Sequence, residues 1–205
     1  MIDMEKWVTI YCASSPGIPQ VYFDEAKKLA SDLVESGYGI IYGGGAMGLM
    51  GAIADAVLEN GGRIKGIIPR FMIEVEWEHK GVKEMVHVET MHQRKQLLIE
   101  NTSAVIALPG GSGTLEELYE VVSLKKLGMF PHPIVLLNTN NYFNPLIEMA
   151  ERMARENFMR KEHLSMWSAV QRPEEVVEII ENTEKWGPEV IKFAAVSESQ
   201  NQSMQ

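Results

Sequence analysis

Residues 104–117 of the chain read AVIALPGGSGTLEE. The first five residues are apolar and β-prone, as in a buried strand, and the residues after position 117 have helical spacing. The glycine-rich turn between them lets backbone N–H groups approach an anion closely, and the positive end of the helix dipole favours negative charge there. The stretch therefore predicts a strand, a phosphate-binding loop and a helix, which is the repeating unit of a parallel α/β fold.

Two carboxylates, Glu116 and Glu117, fall in the predicted first turn of that helix. Negative charge beside a phosphate is unfavourable, so these residues suggest chemistry near the phosphate, or sugar hydroxyls that need an acceptor. A structural alternative is a capping box, in which Thr114 caps the helix and Glu117 reaches back to the N–H of that cap. Both interpretations stay open at this point.

Short β-prone runs alternate with helical patterns along the whole chain. Strands are predicted at 7–12, 39–42, 63–68, 85–88, 104–108, 134–138 and 167–170, and helices at 22–36, 48–59, 91–101, 114–127, 145–156 and 173–182. This alternation predicts a Rossmann-like, doubly wound parallel sheet with helices on both faces, in a single domain over residues 1–192. Ligands bind such folds beyond the carboxyl ends of the strands. Residues 193–205 are rich in Ser, Gln and Asn and are expected to form a disordered polar tail.

Composition limits the functional classes. The chain has 205 residues, a formal net charge of -9 and one cysteine. Binding to a phosphate backbone relies on clustered Lys and Arg, so the acidic balance argues against a nucleic-acid binder. The single cysteine fits a reducing compartment, and the sequence shows neither a signal peptide nor an apolar stretch of membrane-spanning length. We therefore expect a soluble cytoplasmic protein with no nucleic-acid or membrane partner.

A second glycine-rich turn, GGGAMG at residues 43–48, also lies between a predicted strand and a predicted helix. Its G-x-G-x-x-G spacing matches a dinucleotide fingerprint, but that fingerprint expects an acidic residue at the end of the next strand, where this chain has Arg70. An NADP-linked oxidoreductase in which Arg70 binds the 2′-phosphate is one interpretation, and a close-packed structural turn is another. We favour contact with a nucleotide through Gly44, Gly45 and Gly48.

Residues 90–95, TMHQRK, open a further predicted helix. Thr90 and Gln93 fit a capping box, which places Arg94 and Lys95 just past the first turn. Cations near a helix N-terminus oppose the dipole at a cost of about 0.3–1 kcal/mol each. Arg94 is therefore predicted to reach the glutamates and the phosphate loop of the next strand–helix unit. A solvated helix face is the plain alternative for both cations.

The other reactive side chains give weaker signals. Cys12 is interpreted as a small buried hydrophobe at a strand end, and Ser14 and Ser15 in the loop after it are candidates to line the pocket. The five histidines are scattered without the spacing of metal ligands, so no metal site is expected. No Ser or Cys stands at nucleophile spacing from His92.

The motifs at 43–51, 91–95 and 109–117 together resemble the Lonely Guy family of cytokinin-activating phosphoribohydrolases, once widely labelled lysine decarboxylases. The resemblance runs over residues 7–180. It implies a homodimer that hydrolyses the N-glycosidic bond of a purine nucleoside 5′-monophosphate, either cytokinin-type or adenosine. The products are the free base and ribose 5-phosphate, and the resemblance implies no metal or organic cofactor.

The resemblance also implies roles for individual residues. Arg94 and Glu117 become the catalytic pair, and Glu76 matches a family glutamate that contacts the nucleotide. The further substrate contacts predicted for the loop and the two helices are Lys95, Gly110, Gly111, Ser112, Gly113, Thr114, Glu116 and Ser123. No lysine is marked as a pyridoxal phosphate ligand, so a decarboxylase is not expected.

A non-catalytic protein of the same fold, which binds a nucleotide or a molybdenum cofactor without cleaving it, is the main alternative. The presence of both Arg94 and Glu117 argues against it.

Overall fold

The computed structural model describes residues 6–73 and 78–193. Glu76 and nearly all of the predicted polar tail lie outside these described residues. The strands are β1 Trp7–Tyr11, β2 Gly39–Tyr42, β3 Ile64–Pro69, β4 Glu84–Val88, β5 Val105–Ala107, β6 Ile134–Leu137 and β7 Ser168–Val170. The α-helices are α1 Gln20–Glu35, α2 Gly48–Glu59, α3 Met91–Ile99, α4 Ser112–Lys126, α5 Asn144–Arg155 and α6 Glu174–Asn182. None of the helices in the described ranges is long and apolar enough to cross a membrane.

The seven strands form one parallel sheet in the order β4-β3-β2-β1-β5-β6-β7. The chain builds outward from β1 in one direction through β4, and then returns to the other side of β1 with β5. The strand order therefore reverses between β1 and β5, and a crevice opens at this point beyond the carboxyl ends of the strands.

Side chains of β1 show how the two faces of the sheet are covered. Val8 and Ile10 belong to one apolar cluster, with residues of α1, α2 and α6, whereas Trp7 and Tyr11 belong to the cluster on the opposite face, with residues of α3 and α4. Alternate residues of a strand point to opposite faces, and in β1 both sets are buried. Such burial on both faces is typical of a parallel sheet between two helical layers.

Four of the described helices end in the same way, with a left-handed residue just after the helix and two N–H groups, its own and that of the next residue, donating back into the last turn. In α1 this residue is Gly37, whose φ is 81°, and the N–H groups of Gly37 and Tyr38 donate back to the carbonyls of Val34 and Leu33. These bonds satisfy carbonyls that would otherwise lack partners at the helix end. The left-handed residues after α2, α4 and α5 are Gly61, Gly128 and Asn157.

The predicted fold class is confirmed, because every predicted strand and helix is present within about two residues of its predicted ends. The main correction concerns α4. It begins at Ser112, with Gly111 as its N-cap, so Thr114 is not a cap and the capping-box alternative for Thr114 and Glu117 is wrong. Glu116 and Glu117 consequently lie beyond the first turn. The Thr114 side chain is buried against Gly110 instead of capping the helix.

Candidate active site

A cavity of about 260 Å³ opens at the carboxyl ends of β1 and β5, where the strand order reverses. Three segments that the sequence singles out meet in it: the glycine turn after β2, the start of α3 and the loop before α4. The lining consists of Ile10, Tyr11, Cys12, Ala13, Ser14, Ser15, Gly43, Met50, Arg94, Gly111, Ser112, Gly113, Thr114 and Glu117.

The start of α4 forms the part of the wall that suits an anion. N–H groups in the first turn of a helix have no acceptor within it, and they carry the positive end of its dipole. Gly111 and Gly113 line the cavity, and a Cβ atom added to either would meet no atom within 4 Å, so there is open space beside this turn. The first turn of α4 contains no acidic residue. A helix that began at Thr114, as predicted, would have placed Glu116 and Glu117 in this first turn. An anion bound at the observed first turn is not repelled by carboxylates within that turn.

Arg94 reaches the cavity from the start of α3. Thr90 caps this helix by accepting a hydrogen bond from the Gln93 N–H at 3.2 Å, while the Gln93 amide oxygen accepts from the Glu89 N–H. The predicted Thr90 cap is thus present, although Gln93 bonds the residue before the cap. The Arg94 side chain is only 7% exposed, and its Nε donates to the Ile67 carbonyl at 3.3 Å. The helix start and the end of β3 together fix the guanidinium.

Gly43 provides the space that the guanidinium occupies. A Cβ atom at this position would lie 2.4 Å from Arg94 Nη2 and 3.0 Å from Met50 Sδ. The same Nη2 lies 3.5 Å from the Gly43 carbonyl oxygen. The first glycine of the turn at 43–48 therefore admits the guanidinium of a residue from another strand–helix unit. This packing explains the need for glycine here without a bound dinucleotide.

Glu117 faces Arg94 across the cavity floor. Its Oε1 lies 3.4 Å from Arg94 Nη1, and its side chain is 11% exposed. Burial of both members strengthens their attraction but raises the cost of losing either one, typically about 3–5 kcal/mol for a buried pair. The sequence-based prediction that Arg94 reaches a glutamate of the next unit is confirmed by this contact.

Tyr11 is a neighbour of this pair that the sequence analysis did not find. Burial raises the pKa of its hydroxyl well above the usual value, and the negative charges of Glu117 and Glu120 raise it further. Tyr11 therefore stays neutral at physiological pH and adds no charge to the cavity. Tyr11 could have been found from its position, because it is the last residue of β1, next to the point where the strand order reverses.

Lys95 lies beside Arg94 in sequence but is held outside the cavity lining. Its Nζ is 2.5 Å from Glu116 Oε1 and 3.0 Å from Glu120 Oε2. Hydrogen bonds to these two carboxylates raise the pKa of the Lys95 amine. The two adjacent cations of α3 thus meet different glutamates of α4, and only the Arg94–Glu117 pair faces the cavity.

Of the predicted site residues, the structure gathers Arg94, Glu117, Ser14 and the loop residues Gly111, Ser112, Gly113 and Thr114 around one cavity. Those it places outside the lining are Gly44, Gly45, Gly48, Lys95, Gly110, Glu116 and Ser123. Their predicted contacts with substrate stay predictions, as does that of Glu76, which lies outside the described residues.

Local contacts explain several of these positions. Gly48 has a φ of 61°, and a Cβ atom there would lie 2.5 Å from the Ser14 carbonyl carbon, so this glycine supports the cavity wall from behind. The Ser123 hydroxyl donates to the Tyr119 carbonyl at 2.7 Å within α4. Ser123 lies eleven positions after Ser112, which corresponds to about 16 Å along the helix axis. Ser123 is therefore far from the cavity end of α4.

The oxidoreductase interpretation loses its two supports. The Arg70 side chain is exposed and pairs with Glu89, its Nε 2.8 Å from Oε1. The turn at 43–48, which would have to approach a pyrophosphate, instead packs against the Arg94 guanidinium. Among residues 6–73 and 78–193, no group of three or more His, Cys, Asp or Glu side chains could hold a metal ion.

Solved structures share this fold. A molybdenum cofactor binding protein from the phototrophic bacterium Rippkaea orientalis superposes with a TM-score of 0.66 at 19% sequence identity, over 87% of this chain and 97% of that one. The molybdenum cofactor carrier protein of Chlamydomonas reinhardtii gives a TM-score of 0.66 at 14% identity, over 86% of this chain and 96% of that one. At these identities the similarity establishes the architecture alone.

Sequence comparison is more specific. The chain is 38% identical to a probable cytokinin riboside 5′-monophosphate phosphoribohydrolase of Oryza sativa subsp. japonica, over 85% of this chain and 71% of the relative. It is 37% identical to a cytokinin riboside 5′-monophosphate phosphoribohydrolase of Arabidopsis thaliana, over 86% and 77% of the two chains. The enzyme of that name from Rhodococcoides fascians is 41% identical, over 75% and 78%.

A family model described as "Possible lysine decarboxylase" matches residues 50–180, which include the Arg94–Glu117 pair and the loop before α4. This description is the older label that the motif resemblance anticipates. The family model matches more than half of the chain, and the three relatives are 37–41% identical to it. The chain therefore belongs to the Lonely Guy family.

Proposed function

We propose that this protein hydrolyses the N-glycosidic bond of a purine nucleoside 5′-monophosphate, cytokinin-type or adenosine, to the free base and ribose 5-phosphate. The observation that carries the proposal is the buried Arg94–Glu117 pair, which lies in the same cavity as the open glycine loop at the start of α4. The glycine loop suits a phosphate, and Glu117 offers a carboxylate in the same cavity to the sugar attached to that phosphate. The names of the relatives from rice, Arabidopsis and Rhodococcoides support the same reaction.

Glu117 supplies the charge that this reaction needs. Cleavage of an N-ribosidic bond passes through a sugar with oxocarbenium character, and a carboxylate beside it stabilises the developing positive charge. The same group can accept a hydrogen bond from the attacking water or from the ribose hydroxyls. Its position beyond the first turn of α4 keeps it clear of the phosphate donors while leaving it in the cavity wall.

Arg94 serves as the partner that positions this carboxylate. A guanidinium is too basic to donate a proton readily, so its role is to orient Glu117 and to bind the substrate. Arg94 Nε contacts the Ile67 carbonyl, Nη2 contacts the Gly43 carbonyl, and Nη1 pairs with the Glu117 carboxylate. The guanidinium is thus held by one carbonyl within β3 and by one in the turn that directly follows β2, and these contacts help to fix the position of the carboxylate.

The phosphate acts as a remote anchor. Binding energy gained at the N–H groups of Ser112, Gly113 and Thr114 places the ribose against Glu117, and this positioning lowers the barrier for attack by water. We expect AMP to exceed adenosine in kcat/KM by more than about tenfold, because adenosine lacks the anchor. Release of free base from AMP, from an N6-modified AMP and from adenosine is measured by chromatography, and equal turnover of AMP and adenosine would refute the anchor.

We also propose an isologous homodimer in the cytoplasm. Large apolar side chains are exposed on and beside α4 and α5, including Met129, Met149 and Phe158, the last of which is 75% exposed. Such exposure is typical of surfaces that pair with another copy of the chain. Sedimentation at micromolar concentration is expected to give twice the mass of the chain, and a monomer under these conditions would contradict the proposal.

A further inference from the structure

The phosphate loop is held from outside the cavity by a residue that the proposed chemistry does not use. Tyr142 lies between β6 and α5, and its hydroxyl donates to the Gly110 carbonyl at 2.7 Å. Neither Tyr142 nor Gly110 lines the cavity, whereas Gly111, the residue after Gly110, does. Tyr142 and the Gly110 carbonyl thus meet outside the lining of the cavity.

This contact has a direct geometric consequence. In a trans peptide the carbonyl and the following N–H point in opposite directions. A carbonyl of Gly110 held outward toward Tyr142 therefore turns the Gly111 N–H inward. We propose that Tyr142 is a positioning residue that holds the Gly110–Gly111 peptide with its N–H toward the substrate phosphate. This inference rests on the proposed function and extends it to a residue of another strand–helix unit.

The loop needs such a restraint because of its composition. Two consecutive glycines give the backbone wide conformational freedom, so an unrestrained loop would lose entropy when it closes on an anion. Gly110 also has no room for a side chain, since a Cβ atom there would lie 2.1 Å from Thr114 Oγ1. A hydrogen bond from a neighbouring loop restricts the peptide without adding a side chain to this crowded position.

Tyr142 is itself held in place by aromatic contacts. Its ring packs edge-on against Tyr22 of α1, with centroids 6.1 Å apart, and against Phe143, with centroids 5.3 Å apart. Edge-to-face pairs at these distances are favourable. The phenol is therefore restrained before substrate binds.

Hydrogen bonds and unusual backbone conformations also restrain the loop that carries Tyr142. The Asn138 side chain accepts from the Phe143 N–H at 2.7 Å and donates to Asn144 Oδ1 at 2.9 Å, which links the end of β6 to the start of α5. Asn140 and Asn141 both adopt left-handed conformations, with φ of 54° and 58°. Two such residues in succession are uncommon outside glycine, and they persist only where surrounding bonds specify them. The loop is thus built to present one residue in one orientation.

The test compares Tyr142→Phe, which removes the hydroxyl and keeps the ring, with Tyr22→Phe, which makes the same change in the ring that packs against it. Calorimetric titration with ribose 5-phosphate gives the Kd, and turnover of AMP gives KM and kcat. For Tyr142→Phe we expect Kd and KM to rise about threefold to tenfold, as for the loss of one hydrogen bond, with kcat changed less than about twofold. Tyr22→Phe is expected to match the wild type in all three quantities.

Two results would overturn the inference: unchanged affinity of Tyr142→Phe for ribose 5-phosphate, or a loss confined to kcat. An equal loss of affinity in both variants would also overturn it, because this would indicate general damage to the packing. The titration needs no turnover, so it decides the role of Tyr142 separately from the reaction. Failure of the wild type to release base would count against the proposed function alone.

Discussion

Replacement of Glu117 by glutamine is expected to lower kcat for AMP by about a thousandfold or more while the affinity for ribose 5-phosphate stays within about threefold of wild type. Glutamine keeps the size of the side chain and its hydrogen-bonding oxygen toward Arg94, whose Nη1 lies 3.4 Å from Glu117 Oε1. It removes only the negative charge, which acts on the oxocarbenium-like transition state. The phosphate donors at the start of α4 are untouched.

The matched control is Glu120→Gln, one turn further along α4. Glu120 also pairs with a cation of α3, since its Oε2 lies 3.0 Å from Lys95 Nζ, but it does not line the cavity. We expect the control to keep kcat within about threefold of wild type. An active Glu117→Gln enzyme would assign Glu117 a structural role and would refute its proposed part in catalysis.

The Arg94→Ala variant extends the same experiment. If the guanidinium works by holding Glu117, the double variant with Glu117→Gln should be little slower than the slower single variant, because residues that act as a unit are not additive. Loss of one member of a buried pair also destabilises the fold, so a thermal melt of each variant accompanies the kinetics. Strictly multiplicative losses in kcat would show that the two residues act independently.

The second large effect is expected from Gly43→Ala, with a fall in kcat/KM of about a hundredfold. The new methyl group would lie 2.4 Å from Arg94 Nη2, so the guanidinium must move, and the carboxylate that it orients moves with it. The displaced group is the end of a flexible side chain, and the cost in folding free energy is therefore expected to be modest, about 1–2 kcal/mol. Activity thus falls much further than stability, as assays and thermal melts of the same preparation can show.

Gly17→Ala is the control for this substitution. A Cβ atom at Gly17 would meet nothing within 4 Å, and its backbone does not require glycine. This variant is expected to keep full activity. If Gly43→Ala also kept full activity, the proposed role of the Gly43–Arg94 packing in positioning Glu117 would be refuted.

Much of the fold could be predicted because local signals and tertiary structure agree. Helix α2 occupies the predicted range 48–59, where two glycines with positive φ, Gly48 and Gly61, mark its start and its end. Strands β2 and β6 are short apolar runs whose burial on both sides leaves little choice of conformation. Consistency between propensity, pattern and turn residues is what makes such elements predictable.

The start of α4 could not be predicted in the same way. Ser112 and Gly113 are weak helix formers, and the spacing of Thr114 and Glu117 imitates a capping box, so local rules place the start too late. In the folded loop the Thr114 side chain is buried against Gly110 and does not cap the helix, a contact that the local sequence pattern does not reveal. The consequence is functional, because the early start moves both glutamates away from the phosphate donors.

Part of the site depends on contacts that local patterns do not contain. Gly43 and Arg94 are 51 positions apart, and Tyr142 is 32 positions from the Gly110 carbonyl that it bonds. Their proximity follows from the strand order and from side-chain paths through the core. Pairing of Arg94 with Glu117 could be anticipated because the dipole penalty on a cation at a helix start requires a compensating partner.

The most direct test of the proposed hydrolysis is incubation of the wild-type protein with AMP and, in parallel, with an N6-modified AMP, followed by quantification of free base and ribose 5-phosphate over time. We expect free base and ribose 5-phosphate to form in equal amounts from at least one of these nucleotides, with many turnovers per chain, and we expect Glu117→Gln to form neither product at a comparable rate. Persistence of both nucleotides with an equimolar amount of protein would contradict this hydrolysis. Formation of adenosine and inorganic phosphate would contradict it equally, because the phosphate ester rather than the N-glycosidic bond would then have been cleaved.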